Sequence, residues 1–125
     1  MGSGVLEAAV LDGPRTLRAY AHCAADNPRD LVVLLLNLDN KPLDVGLVAN
    51  GKTAQAAVRT EWHFTAGAGG LGGTGVRLGG SDVAWVPGQE LPPMRGARGA
   101  SSLVHLARHS IVFVRLSGSG PMGLC

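Results

Sequence analysis

Nine carboxylates, four histidines, two tryptophans and two cysteines are the side chains of this 125-residue chain best equipped for chemistry. The carboxylates are Glu7, Glu61, Glu90, Asp12, Asp26, Asp30, Asp39, Asp44 and Asp82. Glycosidic hydrolysis needs two carboxyl groups at a spacing set by whether water or the enzyme attacks. Most of these carboxylates lie in turn-forming stretches, where Asp bonds to nearby backbone. Glu61 stands in an alternating segment without an acidic companion. No serine occupies a Gly-x-Ser-x-Gly elbow. His105 and His109 are four apart, a spacing that shares one helix face and begins a metal site, but no third ligand follows at a matching interval. His22 and His63 fall on the outer sides of alternating segments, where solvated or hydrogen-bonded imidazoles are the expectation. No catalytic machinery and no cofactor site is legible.

The tract from Ala66 to Gly75 is mostly glycine. A phosphate loop would need a lysine or a following helix. Neither is present, so the tract reads as a connection. Trp62 and Trp85 offer flat apolar faces on which sugar rings stack, and Arg95 and Arg98 supply positive charge for an acidic glycan. Core packing is the competing reading, stronger for Trp62 than for Trp85. Cys23 lies on a candidate inner strand face, and Cys125 ends the sequence. A bridge between them would close a loop of about a hundred residues, while two free buried thiols fit the spacing equally well.

The elements that would position these residues are short strands. Leu17–Cys23 alternates, with Leu17, Ala19, Ala21 and Cys23 on one side and Arg18, Tyr20 and His22 on the other. Leu31–Leu36 is apolar throughout and bounded by turns, the pattern of a strand covered on both faces. Val58–Phe64 alternates, with Val58, Thr60, Trp62 and Phe64 on the expected inner side. Further strands are expected at Leu43–Val48, before the turn at Asn50-Gly51, and at Val76–Leu78, Val83–Val86 and Ile111–Val114. Residues 94–102 read as a basic surface loop, and Leu103–Arg108 as either a strand or one helical turn. With 19 glycines and 7 prolines cutting the chain this often, the fold class is all-β, an antiparallel two-sheet sandwich.

Composition narrows the rest. Charged residues are 16 % and hydrophobic ones 46 %, a globular balance rather than a disordered one. A net charge of +2 is too small and scattered to imply nucleic acid. No apolar run approaches the ~20 residues that span a bilayer. The first residues carry neither a positive n-region nor an apolar h-region. A cytosolic protein, or a natural chain that begins further upstream, is the expectation.

Several segments, taken in order, resemble one family. Leu17-Arg18-Ala19-Tyr20-Ala21-His22-Cys23, Leu34-Leu35-Leu36-Asn37-Leu38-Asp39-Asn40 and Glu61-Trp62-His63-Phe64-Thr65 resemble stretches of the C-terminal β-sandwich of heparanase and heparanase-like β-glucuronidases, glycoside hydrolase family 79, in its plant-type form. Val76-Arg77-Leu78-Gly79-Gly80, Leu91-Pro92-Pro93 and Ile111-Val112-Phe113-Val114 continue the likeness. It covers residues 15–125 and leaves 1–14 as the remnant of a segment joining barrel and sandwich. Trp62, where the family has tyrosine, and the glycine content between Thr65 and Leu91 depart from it.

The resemblance implies a non-catalytic accessory domain of a retaining β-glucuronidase whose two glutamates belong to a (β/α)₈ barrel. A barrel takes about 250 residues, so it is not in this chain, and the chain by itself is expected to be inactive. The likeness also implies a Cys23–Cys125 disulfide, the barrel of the same polypeptide as partner, and a strand borrowed from sequence ahead of the barrel. A secreted, membrane-associated, lysosomal or vacuolar location follows from it too. A stand-alone module binding acidic glycans or protein is the alternative.

Overall fold

A computed structural model of the chain describes residues 1–54, 56–99, 101–118 and 123–125. Its centre is a pair of long strands, β3 (Leu31–Asn37) and β12 (Ser110–Ser117). They run antiparallel, in register from Leu31 opposite Leu116 to Asn37 opposite Ser110. Strand β2 (Leu17–Cys23) extends this pair on one side, followed by the short β1 (Val5–Leu6). On the other side lies β7 (Val58–Ala66). Two pieces share the far edge of β7: β8 (Val76–Leu78) with β9 (Ser81–Asp82), and separately β10 (Ala97–Arg98).

The second layer is smaller. Strands β4 (Leu43–Gly46) and β11 (Leu103–Leu106) form a ribbon, and β5 (Val48–Ala49) and β6 (Lys52–Thr53) form a hairpin. The hairpin turns on Asn50 and Gly51, both at positive φ, as the two-residue turn that matches strand twist demands. Val104 and Leu106 of β11 are almost fully buried and join Val33, Leu35, Val112, Val114 and Leu116 of the large sheet in one core. The architecture is the expected all-β sandwich, with one large antiparallel sheet and a narrow second layer.

Several local expectations change. Val83–Val86 is loop, because the chain turns at Gly79-Gly80 and pairs only Ser81 and Asp82 back onto β8. Residues 94–102, read as loop, contribute β10 to the edge of β7; Ala100 lies outside the described residues. Leu103–Leu106 is strand, since alternate residues Val104 and Leu106 reach the core. His105 and His109 therefore share no helix face, and His109 sits in a turn at positive φ. Val5 and Leu6, within the expected linker, pair with His22 and Ala21. The glycine tract folds into a short 3₁₀ turn at Gly70–Gly72, closed where the Gly67 N–H donates to the Gly75 carbonyl.

The largest revision concerns β7. Its register sets Trp62 opposite Phe113 and Phe64 opposite Ile111, whereas Glu61 and His63 stand opposite the core residues Val114 and Val112. Directly opposed residues point to the same face of a sheet. Trp62 and Phe64 thus lie on the outer face, and His63, expected outside, lies on the inner. The alternation stands with its two sides exchanged. The polar residues are tolerated inside because β7 flanks the strip that the β4–β11 ribbon covers and because their charges pair.

Two anchors fix the ends of the central pair. The buried amide of Asn37 donates to the carbonyls of Lys41 and Ala107 and accepts from the Asp39 N–H. A disulfide joins Cys23 to Cys125 across 102 positions, with Cα atoms 5.7 Å apart. It brings Leu124 against the core. The loop-entropy model assigns a closure of this length about 4.7 kcal/mol at most. Reduction, or Cys125→Ser, is expected to lower the thermal midpoint clearly. Identical melting with and without dithiothreitol would count against a structural bridge.

Candidate functional site

Three polar clusters and two concavities are the places where chemistry is conceivable. The first cluster joins β12 to the loop before β3. Arg115 donates from Nε and Nη2 to Asp30 Oδ2 at 2.9 and 2.7 Å, and from Nη1 to Asp26 Oδ2 at 2.9 Å. Ser117 Oγ adds a bond to Asp30 at 2.8 Å, and Asn27 Nδ2 another at 3.1 Å. Asp30 is 3 % exposed. Burial pushes its carboxyl up, but the hydrogen bonds from Arg115 and Ser117 outweigh that and hold it below the ordinary value. The hydrogen bond from Arg115 likewise lowers exposed Asp26, and both carboxylates raise Arg115. A carboxylate saturated with donors in this way cannot take up or release a proton near neutrality. The cluster is a clamp.

The second cluster is Arg59, Glu61 and His63, successive inward positions of β7. Glu61 lies 2.7 Å from Arg59 Nε and 2.6 Å from His63 Nε2. The Arg59–Glu61 approach is close but poorly aligned for a hydrogen bond, so it acts as an ion pair. Arg59 Nη2 also donates to the Leu103 carbonyl, tying β7 to the start of β11. The third cluster is exposed: His105 Nδ1 meets Asp44 Oδ1 at 2.5 Å across the β4–β11 ribbon, and Nε2 lies 3.1 Å from Ser101 Oγ. The Ser101 hydroxyl donates to the Leu103 carbonyl and accepts from the Leu103 N–H, closing a local turn. With its proton so engaged, Ser101 receives a hydrogen bond from His105 rather than surrendering one, and the trio is no nucleophilic triad. Among the described residues no three His, Cys, Asp or Glu side chains converge to hold a metal.

The tryptophans expected to meet sugars differ in setting. Trp62 is half-buried, its Nε1–H donates to the Met94 carbonyl at 3.0 Å, and Gly96 lies against its ring. A Cβ at Gly96 would fall 2.7 Å from the ring, so the close approach requires glycine. Trp85 is half exposed on the loop after β9 and donates to the Gln89 carbonyl. Arg95 and Arg98 are exposed, Arg98 within β10 opposite Thr60. No contact joins Trp62 to Trp85 among the hydrogen bonds and ring pairs of the described residues.

Sequence patterns hid the larger concavity. A cleft of about 650 Å³ runs between segment 7–14 and the stretch from β4 to Asn50, floored by apolar residues including Leu17, Ala19, Ala21 and Val33. Neither Val104 nor Leu106 lines it, so it opens on the side of β4 away from β11. Its carboxylates, Glu7, Asp12 and Asp44, are exposed at the margin. The smaller concavity, about 320 Å³, lies on the opposite face between Trp62, Phe64, Phe113, Val32 and Met94.

No family model and no curated protein matches the chain. Its fold does have solved counterparts. It superposes on part of BuGH86 wild type, solved in complex with neoagarooctaose, with TM-score 0.53 and 16 % identity. A point variant of that protein with the same ligand gives TM-score 0.50 and 15 % identity. Each match covers 84 % of this chain and 14 % of the other. The chain has the fold of a small part of a glycoside hydrolase. It spans about a seventh of the length of those chains, and at such identity the likeness is one of fold.

Asp30 yields a pH prediction. Its folded-state pKa is depressed, so the stability it contributes is complete above the ordinary carboxylate value of about 4 and drains away as pH falls through the lower folded value. Asp30→Asn is expected to cost about 2–3 kcal/mol at pH 7, below the full range for breaking a buried pair because Arg115 is partly exposed. It should also flatten the acid limb of stability below about pH 4. Urea unfolding across a pH series checks both; an unaltered acid limb would refute the assignment.

Proposed function

We propose that this chain is the β-sandwich accessory domain of a larger glycoside hydrolase, of the heparanase-like β-glucuronidase class, with catalysis carried by a barrel elsewhere in the same polypeptide. The observation that carries the reading is the fold match: 84 % of this chain against 14 % of a glycoside hydrolase. The carboxylates support it, since Glu61, Asp26, Asp30, Asp44 and Asp82 are each held by a basic partner. The ordered segment likeness supplies the narrower class. The disulfide fits an oxidising, extracytoplasmic compartment. No helix of the described residues is long and apolar enough to cross a membrane.

The large cleft suits the borrowed strand. β4 pairs only with β11 among the described residues, leaving its other edge of backbone N–H and C=O groups facing the cleft. An extended segment from ahead of the barrel would add to that edge and cover the apolar floor.

The test is the mass and activity of the native protein. An antiserum against residues 15–125 should detect a band several times heavier than 12.8 kDa. That intact polypeptide should cleave an aryl β-glucuronide, and the 125-residue chain should not. A native band at 12.8 kDa, or hydrolysis by the short chain, would overturn the reading. Cleavage of agaro-oligosaccharides instead would move the class.

A second reading rests on exposed Trp85, Arg95 and Arg98: a surface that stacks and neutralises an acidic glycan. Such a glycan should quench tryptophan fluorescence in a salt-sensitive manner, and Trp85→Ala should abolish the effect. No response across a panel of sulfated and uronic-acid glycans would refute it.

A further inference from the structure

The outer face of the large sheet is apolar where a free sandwich would be polar. Antiparallel sheets with one solvated face normally alternate hydrophobic and polar residues. Here the central strands carry apolar side chains on both sides. Cross-strand register aligns Tyr20, Leu34, Phe113 and Trp62 in one row over four strands. The next row holds Arg18, Leu36, Ile111 and Phe64. Tyr20 and Ile111 are 48 % and 46 % exposed, although they neighbour the most buried strands of the molecule. The polar groups sit at the margin: Arg18 and His22 on β2, and the Arg115–Asp26 pair at one end. An apolar centre with a charged rim is the anatomy of a protein interface.

We propose that this outer face is where the sandwich docks on the catalytic domain of its own polypeptide. The inference rests on the accessory-domain reading above. The occupant follows from two observations. The same fold occupies only 14 % of the glycoside hydrolase chain it matches, so its counterpart is part of a chain with ample further mass. The centre of the face also lacks the hydrogen-bonding groups that a glycan's hydroxyls require, for the Trp62 N–H is already bound to Met94. The 320 Å³ concavity between Trp62, Phe64 and Phe113 then receives a large apolar side chain of the barrel, as pockets at interface centres do.

Hydroxyl-radical footprinting of the intact native polypeptide tests this. Tyr20 should be modified at less than a tenth of its rate in the denatured chain. An uncovered face would leave it at about half, in keeping with its exposure, and that result would overturn the proposal. Ile111→Lys in the intact polypeptide should restore Tyr20 labelling at least fivefold, whereas Leu71→Lys, an exposed apolar site on the 3₁₀ turn, should leave it protected. If the lysine variant fails to accumulate, the wild-type footprint still decides. A native chain of only 12.8 kDa defeats the accessory-domain reading itself. Tyr20 protected in such a chain, with a sedimentation mass of twice that value, assigns the face to a second copy and overturns the catalytic-domain assignment.

Discussion

The antiparallel pairing of β3 with β12 is the contact on which the other elements depend. It joins segments 85 residues apart, as the Arg115–Asp30 bonds measure it. Every other strand of the large sheet is placed by reference to it, β2 and β1 through β3, and β7 and its edge strands through β12. Seven matched positions with Val33, Leu35, Val112 and Val114 on one side supply the floor of the core. A one-residue slip would send all of those side chains to the wrong face. The ends of the pair carry its polar fixings. Asn37 caps one end with three hydrogen bonds to the flanking turns, and the Arg115–Asp30–Ser117 cluster clamps the other. Both are satisfied inside the fold, which is the condition for a buried polar group to stabilise rather than cost.

That pairing creates two unlike faces. The inner one is closed by the ribbon of β4 and β11 over β3 and β12, and left open beside β4 as a cleft. The outer one stays half exposed and apolar. Among the described residues, one side of the sandwich thus carries an unpaired strand edge and the other an uncovered aromatic face. On the accessory-domain reading, further chain of the same polypeptide relieves both, one by an added strand and one by a packed domain.

The polar clusters agree with that view. Each candidate acid or base has a partner that blocks it: Glu61 between Arg59 and His63, Asp30 beneath Arg115, Asp44 against His105, and Ser101 bonded to its own backbone neighbourhood. These contacts join strands and turns, and none of them opens onto a concavity with two free carboxylates.

Local pattern alone determined a good deal. The alternation of Leu17–Cys23, the apolar run of Leu31–Leu36 and the Asn50-Gly51 turn each state their conformation through side-chain period or backbone preference, and all three stand in the structure. The absence of a paired-acid motif was legible for the same reason. Side and partner were not. Alternation in Val58–Phe64 gives two faces without naming the inner one, and only the match of Trp62 to Phe113 on β12 put the aromatics outside. Leu103–Arg108 fits two periods over six residues, and burial of Val104 and Leu106 chose the strand. The cleft is made by segments from distant parts of the chain. No local pattern encodes such a space, because it is a property of how layers are stacked and which strand edges they leave unpaired.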